Sequence, residues 1–224
     1  MDDVLKSRFF LKSDDEIKNY SFSGRDWSFY DLQWYSRIYE YRWAIDAINC
    51  YFGEKEPGLV IDIGTGNWHP FSFMLSTETK SRKVLASDIY PLEDWQYKDI
   101  MPSSMEYFQG SADDNDMPNV DIVACISIFE HLDPDLQIRS LKNFVDKINE
   151  GGCLTMTFDI PGYDYETQKS KYLRILDEGG MVYEIEDVDG EKVTSKDNPI
   201  APEKHLKIDP PLNFFRLFAY KPEA

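Results

Sequence analysis

The chain has 224 residues, with 41 acidic side chains against 24 basic ones and a formal net charge of −17. That length suits one domain with a full core, and the acidic excess opposes binding to a polyanion, so nucleic acid is not expected as a partner. Cys50, Cys125 and Cys153 lack the spacing of a disulfide framework, and with neither a secretory start nor any run approaching a membrane span, a cytoplasmic chain without membrane contact is expected.

Residues 1–55 read as a helical lead or cap, and 56–224 as the ligand-binding unit. In the lead, Ile38, Tyr41, Ile45 and Ile48 recur at three- and four-residue spacing, the apolar stripe of a helix within Trp27 to Phe52. Tyr30, Trp34, Tyr35, Tyr39 and Trp43 crowd the same segment, either packing the helix onto a sheet or lining a ligand pocket.

Next comes Leu59-Val60-Ile61-Asp62-Ile63-Gly64-Thr65-Gly66, an apolar run breaking into an acid-bearing glycine loop. A buried parallel strand looks like this where it turns into a helix and leaves backbone N–H groups open to a ligand. A second apolar run, Lys83 to Ile89, ends in Asp88. An acid about 20 residues past such a loop is placed to grip the ribose hydroxyls of a nucleoside. Dinucleotide sites want a third glycine where this chain has His69, and Asp62 would repel a pyrophosphate. The expected ligand is therefore a nucleoside without phosphate. S-adenosylmethionine (SAM) has a ribose, an adenine and two cationic centres, which carboxylates favour.

Strands are predicted near 59–64, 83–88, 105–109, 120–126 and 152–159, with helices near 69–78 and 134–149. The alternation implies a parallel sheet with right-handed crossovers and helices on both faces, its ligands lying beyond the carboxyl ends of the strands. Asn213 to Tyr220 reads as a last strand. The polar stretch 184–211, with Pro199, Pro202, Pro210 and Pro211, reads as a surface excursion.

Asp62-x-Gly64-x-Gly66 resembles motif I of the class I SAM-dependent methyltransferases. The resemblance continues in order through Ser87-Asp88-Ile89, the loop Gln109 to Asp114, the run Val120 to Leu132 with its Glu130-His131 pair, and Leu141 to Asp159 with its Gly-Gly turn. It implies an α/β fold, a doubly wound, mostly parallel seven-stranded sheet whose last strand is inserted antiparallel. It also implies SAM as cofactor, held by Asp62, Gly64, Thr65, Gly66, Asp88, Ile89, Ser111, Ala112, Asp113 and Ser127. In the family, N-terminal helices often lid the cofactor, which makes Arg37 and Arg42 candidates for the methionine carboxylate, a solvated surface role being the alternative for either. Two positions depart from the pattern. Trp68 stands where motif I often has a third glycine, and Ser111 where an aspartate usually meets the adenine amine.

Methyl transfer needs in-line placement above all, and a hydroxyl acceptor also needs a base. His131, directly after Glu130 at the end of the fourth strand, is the leading candidate, with Asp159 at the end of the fifth as the alternative base or substrate hook. His69 reads as a helix-start or pocket-wall residue, and His205 falls in the excursion. Glu130-His131 also resembles the Glu-x-x-Glu-His set with which ubiquinone-biosynthesis O-methyltransferases hold a divalent ion. Ser127 replaces the first acid of that set, which weakens a hard-cation site, so no metal is expected. The function expected is methylation of a small molecule, a sugar or other biosynthetic intermediate, with oxygen preferred over nitrogen. The alternative is a non-catalytic protein of the same fold that binds SAM or its demethylated product.

Overall fold

The computed structural model describes residues 36–66, 71–94, 98–159, 165–187 and 214–223. A helix, α1 (Ser36–Phe52), leads into strand β1 (Leu59–Ile63), helix α2 (Phe71–Glu78), β2 (Lys83–Asp88) and β3 (Met105–Gln109). After β4 (Val120–Ile126) come α3 (Pro134–Lys147), β5 (Ile148–Asp159), α4 (Tyr165–Glu178), β6 (Val182–Asp187) and β7 (Phe214–Tyr220). The seven strands form one sheet in the order β3-β2-β1-β4-β5-β7-β6. The first five run parallel, and β7 lies antiparallel between β5 and β6. This is the doubly wound, mostly parallel sheet expected from the alternation, and its antiparallel insertion is the one that the family resemblance implies.

Strands covered on both faces must be apolar along their whole length rather than at every second residue. In β1, Val60 faces α1 and α2 together with Tyr41, Ala44, Ile45, Ile48, Phe71 and Leu75. Ile61 and Ile63 face the opposite layer, packing with Leu141, Phe144, Val145, Tyr172 and Leu176 of α3 and α4. Within the predicted helical stripe Tyr41, Ile45 and Ile48 are all buried, and Trp43 is buried beside them. Helix α1 is thus a layer of the sheet's own core. It ends at Gly53, whose φ of +55° closes the last turn with a backbone bond from Gly53 N to Asn49 O of 2.9 Å.

Several boundaries differ from the sequence expectation. Helix α3 stops at Lys147 instead of 149, and β5 begins at Ile148 instead of 152. Ile148 pairs with Val120 before the register slips, so that Cys153 pairs with Ile122. The predicted Gly-Gly turn is thus an irregularity inside a strand: Gly151 has a φ of +73°, and a Cβ on Gly152 would come within 2.6 Å of the Asp121 carbonyl oxygen. The surface excursion set at 184–211 cannot start at 184, because 184–187 continue β6 and pair with β7. Helix α4 was not anticipated; its Tyr172, Ile175 and Leu176 are buried in the second layer. Among the described residues no helix is long and apolar enough to cross a membrane.

Candidate functional site

Chain order runs outward from β1 to β2 and β3, then returns to β4 on the other side of β1. A crevice opens at the carboxyl ends of strands where the order reverses in this way. At that point lies a pocket of about 30 Å³, lined by Arg37, Tyr41, Asp62, Gly64, Thr65, Phe71, Ile126, Ser127 and Ile128. Four residues assigned to the cofactor from sequence, Asp62, Gly64, Thr65 and Ser127, therefore meet around one opening. Arg37 reaches it as well, whereas Arg42 pairs with Asp46 along its own helix at 2.6 Å.

The floor is the β1 loop. Gly64 has a φ of +71°, and a side chain there would run into Ile128. The N–H groups of Gly64 and Thr65 both donate to the Ser87 carbonyl, at 2.8 and 2.9 Å, which fixes the loop against β2. Gly66 N–H donates to Asp88 Oδ2 at 2.8 Å. Asp88 Oδ1 accepts from the N–H of Tyr90 at 3.2 Å, so the carboxylate is oriented at the edge of the sheet by backbone on either side.

Beside it Ile89 is 62% and Tyr90 53% exposed, the two large hydrophobic residues that stand out in solvent among the described residues. The loop after β3 is drawn to the same edge by a bond from Gly110 N to Asp88 O of 2.9 Å. In that loop Ala112 is buried, while Asp113 accepts from the Ser111 hydroxyl at 2.7 Å and from Arg139 Nε at 2.8 Å. The Asp113 carboxylate is thereby held against α3, and these hydrogen bonds keep its pKa below the ordinary value.

Asp62 is the unusual group. It is 3% exposed, and its Oδ2 accepts from Ser72 Oγ at 2.5 Å, the Ser72 hydroxyl lying 2.8 Å from that of Thr65. Burial pushes the carboxyl up to about 7, with the Ser72 and Thr65 hydrogen bonds opposing the rise and the charge of Asp88 adding to it.

Behind the opposite wall, which Arg37 and Ser127 line, lies a residue that the sequence does not single out. Glu40 of α1 is 2% exposed. It accepts from Ser127 Oγ, from Thr157 Oγ1 at 2.7 Å, and from Arg37 Nη1 at 2.7 Å. For Arg37, burial disfavours the charge, but Glu40, Tyr41 and Glu130 outweigh it, and the guanidinium pKa is raised. The signal for Glu40 was present: it precedes the buried Ala44 and Ala47 by four and seven positions, on the inward face of α1.

The base candidates lie elsewhere. His131 sits on a short turn, Phe129–His131, that follows β4, and its side chain is exposed rather than part of the pocket lining. Gln137 braces the turn by donating to the carbonyls of Phe129 (2.8 Å) and Leu132 (3.1 Å). Asp159 ends β5 opposite Phe214 of β7. His69 and His205, with Trp68, lie outside the described residues. Among the described residues no group of three or more His, Cys, Asp or Glu side chains is placed to hold a metal ion.

No protein-family model and no curated protein matches the sequence. Solved structures do match it. The N-methyltransferase NodS from Bradyrhizobium japonicum WM9, crystallised with S-adenosylhomocysteine, is 10% identical over 98% of this chain and 97% of its own, with a TM-score of 0.54. The [4+2]-cyclase SpnF is 12% identical over 80% of this chain and 81% of its own, with a TM-score of 0.56. An rRNA methylase from Streptococcus thermophilus is 15% identical over 80% of this chain and 97% of its own, with a TM-score of 0.53. At such identities the likeness is one of fold, and the chain has the Rossmann-like fold of the class I SAM-dependent methyltransferases. That fold carries more than one chemistry, as the cyclase illustrates, so function must be argued from the site.

Proposed function

We propose that this protein is a SAM-dependent methyltransferase acting on a small-molecule acceptor, with an oxygen nucleophile preferred over nitrogen. The observation that carries the reading is the edge formed by Asp88, Ile89 and the β1 loop. An acceptor-only carboxylate braced by backbone stands beside an exposed aliphatic side chain, at the switch point of a doubly wound sheet. The donor set fits an uncharged nucleoside with a cationic amino-acid tail. Asp88 would hold the ribose hydroxyls, Ile89 and the loop at Ser111, Ala112 and Asp113 would flank the adenine, and Gly64, Thr65 and Gly66 would give the tail its close approach. Asp62 and Ser127 would lie toward the ammonium end, and Arg37 would meet the carboxylate. Phosphate fits poorly here, because the Asp88 carboxylate already takes the Gly66 N–H of the glycine loop and would repel it.

When bound, the cofactor supplies an activated methyl group on a sulfonium, so the chain's residues have to bind, orient and manage a proton. His131 is our candidate to take the proton of a hydroxyl acceptor at an imidazole nitrogen. What supports it is its exposure on a braced turn at the end of β4, where an incoming acceptor can reach it. Asp159 is the second candidate, as base or as substrate hook. The net charge of −17 favours a small acceptor over a nucleic acid, and the unpaired Cys50, Cys125 and Cys153 suit a reducing, cytoplasmic site of action.

The test is methyl transfer to a panel of small hydroxyl and amine acceptors, read by mass spectrometry, with the wild type and His131→Ala. We expect hydroxyl methylation by the wild type and a loss of about 10²–10⁴ in rate for the variant. Normal turnover by His131→Ala would remove the base assignment. A wild type that binds SAM and methylates nothing would instead support the non-catalytic binder of the same fold.

A further inference from the structure

The Glu40 carboxylate does not line the pocket, yet it touches residues on two of its walls. One oxygen takes the hydroxyls of Ser127 and Thr157, at the carboxyl ends of β4 and β5, and the other takes the guanidinium of Arg37, one turn back on α1. Ser127 needs the help. Its φ of +50° makes it the non-glycine residue with a left-handed backbone among the described residues, a conformation that a Cβ disfavours. Its own N–H is spent on the Thr157 carbonyl at 2.7 Å. Glu40, Ser127 and Thr157 thus form a closed triangle joining α1, β4 and β5. Burying a carboxylate there is costly unless each of its oxygens is matched by donors, as here. A leucine would serve the core of α1 without that cost, so packing alone does not explain an acid at this position.

We infer that Glu40 is a positioning residue that latches α1 over the carboxyl ends of β4 and β5, setting Ser127 and Arg37 as the two walls that hold the amino-acid end of the ligand. This rests on the cofactor reading above. It assigns Glu40 no contact with the ligand and no effect on the nucleoside end, where Asp88 is oriented by Gly66 and Tyr90 without help from α1.

Calorimetric titration with S-adenosylhomocysteine and, separately, with adenosine tests it, using the wild type, Glu40→Ala and Glu40→Gln, each checked for a cooperative melt. Glu40→Ala should weaken S-adenosylhomocysteine by about tenfold or more, the scale of a lost charge-assisted network, and leave adenosine unchanged. Glu40→Gln keeps an oxygen for the two hydroxyls but loses the ion pair with Arg37. It should weaken S-adenosylhomocysteine by an intermediate factor, about threefold, again with adenosine unchanged. If the alanine variant does not fold, the glutamine variant decides alone. S-adenosylhomocysteine affinity unchanged in a folded variant, or loss of both ligands in proportion, would overturn the latch while leaving the cofactor reading intact. A wild type that binds neither ligand would remove the cofactor reading, and the latch with it.

Discussion

Asp62 shows how much a single residue decides in this fold. Its neighbours Val60, Ile61 and Ile63 are buried and apolar, and the carboxyl shares their burial with hydroxyl partners in place of water. Because burial raises its folded pKa from the usual 3.8 to about 7, the folded state binds a proton that the unfolded chain has released. Stability from this group is full below about pH 4 and falls as the pH rises through 7. At about 1.4 kcal/mol per pH unit the penalty reaches about 4 kcal/mol above neutrality. Asp62→Asn keeps an acceptor for Ser72 and has nothing to ionise. In urea denaturation the variant should therefore gain on the wild type by up to about 4 kcal/mol between pH 4 and pH 8. A difference that stays flat across that range would show that the carboxyl is not so perturbed. Asp62 and Asp88 were legible in the sequence, because an acid inside or ending an apolar strand breaks a pattern that is otherwise uniform. Glu40 was not, because a helix tolerates acids on most of its circumference and only the packing of α1 tells which face is inward.

Elements were legible where their own sequence ends them. Helix α3 starts as read because Asp133 caps it, accepting from the N–H groups of Asp135 (3.1 Å) and Leu136 (2.9 Å), with Pro134 at the first helical position. Asp133→Ala should cost about 0.5–2 kcal/mol in a denaturant melt and leave ligand affinity unchanged, since the cap is an exposed feature remote from the pocket lining. A loss of affinity larger than the loss of stability would mean that the start of α3 feeds the site. The end of α3 was misjudged because Ile148 continues the helical apolar pattern while pairing with Val120 as a strand. A residue compatible with both periods is settled by its sheet partner, which local sequence does not reveal. Strand β6 was missed for a related reason: polar Glu184 alternates with Tyr183 and Ile185, which pack against the second layer, and one covered face is enough to hold an edge strand.

For the whole molecule, the parallel core followed from alternation alone, and the insertion of β7 between β5 and β6 was read from family likeness rather than from any physical signal in the chain. That order places the switch point between β1 and β4, where Arg37, Asp62 and Ser127 converge although 90 positions separate the first from the last. This edge takes a nucleoside bearing an amino-acid tail and rejects a pyrophosphate. Calorimetric titration of the full chain with SAM, S-adenosylhomocysteine and NAD tests it most directly. SAM and S-adenosylhomocysteine should bind while NAD gives no heat of binding; tight NAD binding without a response to SAM would make this a dinucleotide site instead.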